Sequence, residues 1–299
     1  MSLPLNKEFS WKKKLHAHLQ LARISNSPTV FSNVLAGAVL SGVMYNGVLE
    51  GNEATSLLFL MLAMGVLYTA GMYLNDVFDY KIDLKERPKR PLPSGLVDKN
   101  TAIALVIIFF FIGLLLLAFV NSGAFISGLL LIGIIIFYDY WHKTNPFGHY
   151  VMAMTRVMVY VTAFVAFSDT ASSELMISAL LLFFYVSGFT FIAKSENKTD
   201  FARYWPIIFI ILPVIYFGYQ LEMAFLPVVL LFLGWSLYSL TFIYRQQKKD
   251  IGGGIVRLIA GISLFDAMVL ALYEAFWPIM LVFILFGLTR FFQGYIEGS

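Results

Sequence analysis

The sequence contains no cysteine, and only 13% of its 299 residues are charged. The first absence excludes disulfides, thiolate metal sites and a cysteine nucleophile. The second excludes more. A soluble globular domain is about 25% charged, and half of that leaves too little polar surface to cover a ball in water. A water-soluble enzyme, a disordered chain, a small secreted module and a nucleic-acid binder are therefore set aside. Histidine is scarce too, with four in the chain. His16 and His18 have no partner at metal-ligand spacing, His149 lies near the inner surface, and His142 alone falls in a plausible site. No stretch shows the alternating period of a transmembrane β-barrel.

Apolar runs are what the chain does have, with 59% of its residues hydrophobic. A membrane span takes about 20 mostly apolar residues. Ten segments qualify: 28–48, 56–78, 101–120, 123–140, 149–168, 175–193, 205–219, 224–244, 254–273 and 276–293. The seventh is short, and only Glu274 and Ala275 separate the last two, so the count is nine to ten. Lipid leaves any open backbone unsatisfied, so the segments must be helices. The expected fold is all-α: a polytopic transmembrane helix bundle, one membrane-embedded domain over residues 1–299. Residues 1–25 hold Lys12, Lys13 and Lys14 and no cleavable apolar run. They are read as a retained cytoplasmic amphipathic segment rather than a signal peptide.

The placement of charge sets the orientation. With the N-terminus inside and ten alternating helices, the external loops near 49–55, 121–122, 169–174, 220–223 and 274–275 contain no Lys or Arg. They hold Glu50, Glu53, Asp169, Glu174, Glu222 and Glu274 instead. This is the bias of a protein whose positive loops face the cytoplasm, here read as that of a bacterial inner membrane.

Ionisable residues at or within a span are functional candidates. The densest group is Asn75-Asp76-Val77-Phe78-Asp79-Tyr80-Lys81-Ile82-Asp83, where the second span meets the cytoplasm. Asp76, Asp79 and Asp83 recur at i, i+3 and i+7 and share one helix face, joined by Asn75. Three carboxylates on one stripe repel unless a cation lies between them, and hard oxygen ligands of this kind suit Mg²⁺. The alternative is a solvated helix end. The following loop, Leu84 to Gly95, is basic and stiffened by Pro88, Pro91 and Pro93. Beside an acidic stripe it reads as a clamp for phosphate oxygens. It also fits plain positive-inside topology.

A second acidic pair, Glu196 and Asp200, stands at i and i+4 past the sixth span, on the same side. Two acidic helix ends facing each other can hold two divalent ions with a diphosphate between them. Lys143 closes the fourth span after Tyr138-Asp139-Tyr140-Trp141-His142, and Lys194 precedes Glu196. Arg156 lies well inside the fifth span and needs an anionic partner, either substrate or a structural one such as Asp139 or a carbonyl. Asn33, inside the first span, is either a bond to a neighbouring helix or part of an acceptor site. Asp266, deep in the ninth span, reads as structural.

Asn75-Asp76-x-x-Asp79-x-x-x-Asp83, followed by Arg90-Pro91-Leu92-Pro93-Ser94-Gly95, resembles the UbiA superfamily of intramembrane prenyltransferases. The Glu196/Asp200 motif, Arg156 and the Arg23–Asn33 segment extend the resemblance over essentially the whole chain. It implies a helical bundle around a central cavity that opens near the cytoplasmic side, Mg²⁺ and an isoprenyl diphosphate donor. Three departures stand out. The second motif has Glu196 where the family usually has Asp, the family's Tyr-x-x-x-Lys element appears only loosely around Lys143, and the helix count runs to ten against the usual nine. The pattern looks closest to a bacterial branch associated with Ebo-type metabolite-trafficking clusters.

The expected activity is Mg²⁺-dependent transfer of an isoprenyl group to an aromatic or other lipophilic acceptor in the bilayer. Asn75, Asp76, Asp79 and Asp83 are expected to hold one metal, and Glu196 and Asp200 another. Arg23, Lys81, Arg87, Arg90, Lys143, Arg156 and Lys194 are expected to contact the diphosphate, with Asn33 as a substrate contact. No nucleic acid or obligate protein partner is indicated. The competing readings are a membrane transporter and a catalytically altered family member that traffics an isoprenoid-linked metabolite.

Overall fold

A computed structural model describes residues 10–44, 49, 51–141, 145–194, 204–245 and 247–296. Each of the ten apolar segments carries a helix. Among the described residues there are eleven α-helices: α1 (Trp11–Leu21), α2 (Pro28–Leu40), α3 (Asn52–Glu86), α4 (Lys99–Val120), α5 (Ser122–Trp141), α6 (Gly148–Val165), α7 (Ser173–Lys194), α8 (Ile207–Gln220), α9 (Leu226–Tyr244), α10 (Ile251–Ala271) and α11 (Phe276–Gln293). Seven of them, α3, α4, α5, α7, α9 (counted from the short turn at Met223), α10 and α11, are long and apolar enough to cross a membrane.

Two helices depart from their expected lengths. The span at 28–48 ends at Leu40. Ser41 turns its hydroxyl back onto Ala38 O at 2.6 Å, and Gly42 follows at φ +90°, a left-handed conformation that glycine adopts without steric cost. In the other direction, α3 runs 35 residues to Glu86. At 1.5 Å per residue that is about 52 Å, well past a hydrocarbon core of ~30 Å. Its last turns, about three from Asp76 onward, therefore carry the acidic stripe out of the apolar slab without a break. The helix stops at Arg87, because a residue before proline is pushed out of the α region.

Two helices form the centre. Every α2 residue except Phe31 is buried, and so is every residue from Ala260 to Ala271 of α10. The other long helices keep a lipid-facing side. On α4 this side shows Ile107, Ile108, Phe111, Leu115 and Phe119. Lipid is as apolar as leucine, so close packing and polar contacts, not the hydrophobic effect, hold such helices together. Close packing is clearest where α2 crosses α6. A Cβ on Gly37 would stand 2.6 Å from Tyr160 O and 2.7 Å from Ala163 Cβ. Phe265 of α10 meets the rings of Tyr185 on α7, Phe217 on α8 and Phe232 on α9, with centroids 5.7–6.3 Å away.

The polar contact is Asp266, which is fully buried. Its carboxylate accepts from Ser32 Oγ, from Asn33 Nδ2 at 3.0 and 2.9 Å and from the Tyr160 hydroxyl. Ser32 Oγ also lies 3.1 Å from Ser263 Oγ. One carboxylate therefore ties α10 to α2 and α6, as its structural reading from sequence anticipates.

At the edge, α1 lies on α3. Ala17, Leu21 and Ala22 pack with Tyr73, Leu92, Val97, Ala102 and Val106 in a separate apolar cluster, while Lys12, Lys13 and Lys14 are exposed. The His18 Nδ1 lies 2.7 Å from the Tyr73 hydroxyl, and burial pushes the His18 pKa below its ordinary value.

Removing a buried carboxylate strands every donor that it satisfies, at a cost of about 3 kcal/mol. Tyr160→Phe takes away one of Asp266's donors and should cost ~1 kcal/mol. Asp266→Ala should therefore lower the thermal unfolding midpoint in detergent about three times as far as Tyr160→Phe, and equal shifts would show that the carboxylate does not hold the centre.

Candidate functional site

The acidic stripe follows from helical periodicity. Met64, Tyr68, Met72, Asn75, Asp79 and Asp83 recur every three or four residues along α3, so they share one side. At about 100° per residue, Asn75, Asp76, Asp79 and Asp83 fall within an arc of roughly 100°. The first four members of the stripe line a cavity. Its remaining walls are Gly71 on α3, Leu131, Ile135, Tyr138 and Asp139 on α5, Met152, Thr155, Arg156 and Val159 on α6, with Val30 and Arg23. The stripe is thus apolar in the cavity, turns amide at Asn75 and continues as carboxylates beyond it.

Asn75, Asp76, Asp79 and Asp83 are all buried, and cations come to meet them. Arg23 NH2 donates to Asn75 Oδ1 at 3.2 Å and stands 3.6 Å from Asp76 Oδ1. It does so from a left-handed backbone, φ 42° and ψ 47°, uncommon for a residue with a side chain and a form of strain that collects at functional sites. Its carbonyl accepts from the Tyr68 hydroxyl at 3.3 Å. Arg90 NH1 binds Asp83 Oδ2 at 2.8 Å and lies 3.7 Å from Asp76. Asn75 Nδ2 donates to Asp139 Oδ1 at 2.9 Å, which fixes its amide between a cation and a carboxylate.

The loop that delivers Arg90 is anchored. Leu92 and Val97 are buried against α1, α3 and α4. Val97 N returns to Pro91 O at 3.2 Å, Ser94 N to Arg90 O at 2.9 Å and Gly95 N to Leu92 O at 3.1 Å. Gly95 takes φ +75°, which a β-branched residue resists. The prolines and this turn point the arginine back over the stripe.

Arg156 is buried in the cavity wall. Its NH1 donates to Asn33 Oδ1 at 3.2 Å, and its guanidinium lies over the Tyr68 ring at 5.6 Å. Asn33 in turn holds Asp266. Of the two readings open for Asn33, the bond to neighbouring helices is present. The protein partner of Arg156 is Asn33.

The structure therefore gathers Arg23, Asn75, Asp76, Asp79, Asp83 and Arg90 into one cluster. It does not bring Lys81 and Arg87 there: both are exposed, and Lys81 sits about 140° around α3 from Asp76. Lys194 closes α7. Lys143, Glu196 and Asp200 lie outside the described residues. Asp139 and Tyr138 line the cavity; the sequence offers Asp139 only as a structural partner of Arg156 and gives Tyr138 no role. The available signal was a carboxylate at the end of a span.

The donor set fits a hard divalent cation. Asp76 Oδ1 is buried and makes no hydrogen bond, with Arg23 and Arg90 at 3.6 and 3.7 Å. Among the described residues no three acidic or histidine side chains form a ready-made metal cluster. Magnesium uses one or two carboxylates and fills its shell with water and substrate phosphate, so a pre-formed three-carboxylate cage is not what it needs.

Gly95→Val should free the loop. Trypsin cleavage after Lys89, the one basic residue of the loop's 87–90 stretch not followed by proline, is expected to quicken several-fold over wild type, and an unchanged cleavage rate would mean that the turn does not pin the loop.

Residues 30–253 match the UbiA prenyltransferase family. The chain is 31% identical to digeranylgeranylglyceryl phosphate synthase of Saccharolobus solfataricus over 172 residues, 57% of this chain and 59% of that protein. It is 36% identical to the synthase of the same name from Thermococcus gammatolerans over 113 residues, 38% of this chain and 40% of the other. The chain thus spans less than two thirds of these relatives. Its fold is similar to that of a solved digeranylgeranylglyceryl phosphate synthase (TM-score 0.61, 19% identity, covering 89% of this chain and 99% of the other). It is also similar to a UbiA homolog from Archaeoglobus fulgidus bound to GPP and Mg²⁺ (TM-score 0.60, 14% identity, covering 86% and 99%).

Proposed function

The chain belongs to the UbiA prenyltransferase family, and from that premise we propose that it transfers an isoprenyl group from an isoprenyl diphosphate to a lipophilic acceptor inside the membrane. The observation that carries this reading is one continuous helix face. It lines an apolar cavity, then presents carboxylates bracketed by Arg23 and Arg90. A diphosphate joined to a hydrocarbon tail has the same polarity pattern.

The reaction breaks the bond between C1 of the isoprenyl group and the diphosphate oxygen. It forms a bond from C1 to a nucleophilic atom of the acceptor, which loses a proton. Asp76, Asp79 and Asp83 with Asn75, and Glu196 and Asp200 of the second motif, would hold magnesium, which would supply positive charge to neutralise the departing diphosphate. Arg23 and Arg90 offer planar forks to phosphate oxygens. Lys143 and Lys194 are further candidates for diphosphate contact, whereas Lys81 and Arg87, exposed away from the stripe, are not. Asn75, fixed by Arg23 and Asp139, orients the carboxylates beside it. The tail lies against Val30, Met64, Leu131, Ile135, Met152 and Val159. Tyr68 and Tyr138 stand in the cavity wall, and aromatic rings attract developing positive charge. Arg156 reaches the substrate, and Asn33 acts through it by holding its guanidinium.

The acceptor is aromatic or otherwise lipophilic. The named relatives make digeranylgeranylglyceryl phosphate, which supports an acceptor that is itself a membrane amphiphile. The carboxylates collect at the C-terminal ends of α3 and α5, which supports a reaction site at one face over a transport path. The bias of Lys and Arg supports a cytoplasmic position for that face.

Purified protein with Mg²⁺ and a panel of isoprenyl diphosphates should release diphosphate and yield a prenylated product by mass spectrometry. Asp76→Ala and Asp79→Ala should each lower turnover by about 100-fold or more while keeping the wild-type melting profile. Wild-type turnover in both variants would overturn the assignment.

A further inference from the structure

A row of aromatic side chains on α9 carries three arginines that the cavity does not use. Trp235, Tyr238 and Phe242 recur at i, i+3 and i+7, one face of the helix. Arg290 of α11 lies 5.4 Å from the Trp235 ring centre. Arg257 of α10 lies 3.9 Å from that of Phe242 and 6.0 Å from that of Tyr238. Arg245, just past α9, lies 4.9 Å from Phe242. Three helices thus bring guanidinium groups to one end of a groove, with α9 and α11 as walls and α10 as floor. The Trp235 and Phe286 rings meet edge-on across it at 4.9 Å, and Trp235 Nε1 donates to Arg257 O at 2.8 Å.

The charge at this end is unbalanced. Asp250 is the only carboxylate within 4 Å of these arginines among the described residues, and it stands 3.9 Å from Arg257. Its side chain already caps α10 by accepting from Gly253 N at 2.8 Å. Arg290 donates to the neutral amide of Gln293, and Arg257 to Gly253 O at 2.7 Å. Lys248 and Lys249 are exposed beside them. Cations so close repel, and the aromatic faces offset only part of that repulsion. Guanidinium forks match phosphate oxygens.

The surroundings specify the rest of the ligand. On the same side of α9 as Trp235, within about 60° of it, Leu231 and Tyr238 are exposed. We infer that this groove end is a binding site for an anionic membrane phospholipid. The arginines hold the phosphate of its head group, and the exposed side chains on this face of α9 receive its acyl chains.

Delipidated full-length protein in neutral detergent is titrated with phosphatidylglycerol, phosphatidylcholine or inorganic phosphate and read by native mass spectrometry. Phosphatidylglycerol should bind at least tenfold more tightly than phosphatidylcholine, and millimolar phosphate should not displace it. The Arg257→Gln/Arg290→Gln double variant should lose about 25-fold in affinity, about fivefold per arginine. Arg245→Gln, at an exposed position that tolerates exchange, should lose about fivefold and decides the matter if the double variant does not fold. Equal binding of the two lipids, displacement by free phosphate, or wild-type affinity in Arg245→Gln would overturn the assignment.

Discussion

Everything in this bundle depends on one buried carboxylate finding its donors. Asp266 lies where no water reaches, and an unpaired polar group there costs several kcal/mol. Ser32, Asn33 and Tyr160 answer it from two other helices. Helices in lipid have no hydrophobic drive toward each other, so this contact and the glycine crossing at Gly37 set where α2, α6 and α10 stand. The same contact reaches the cavity. Asn33 gives its amide protons to Asp266 and its oxygen to Arg156, so the guanidinium in the cavity wall is held by the structural centre.

The reactive end follows a different rule. Carboxylates on one helix face repel, and the fold resolves this with guanidinium groups from two loops. Arg23 comes from the turn after α1, in a strained backbone; Arg90 comes from a proline-stiffened loop anchored by Leu92 and Val97. Both stand more than 3.5 Å from Asp76, near enough to lower the repulsion and far enough to leave its oxygen open to an incoming cation. A site balanced in this way changes little in net charge when a magnesium diphosphate enters.

A chain with few charges reveals each one. Cations off the stripe gather beside α9, where aromatic rings carry them at the membrane edge. Two cation-rich places on a sparsely charged bundle suit two phosphate-bearing partners of different kinds, one reacting in the cavity and one bound from the bilayer.

Periodicity and composition alone determined much of this protein. The apolar runs dictated ten helical segments, because lipid forbids open backbone. The spacing of Asn75, Asp76, Asp79 and Asp83 dictated a shared face, because a helix turns about 100° per residue. Which cations meet that face was a tertiary matter. Lys81 and Arg87 are nearer in sequence than Arg23, yet the helix turns Lys81 away and the loop leaves Arg87 in solvent. Arg23 arrives from 52 residues before Asn75. The partner of Arg156 was likewise illegible, since Asn33 is 123 residues away and only packing of α2 against α6 brings them together. Local pattern fixes which side of a helix a residue takes. Which helix stands opposite depends on packing across the bundle, and no spacing within one segment encodes it.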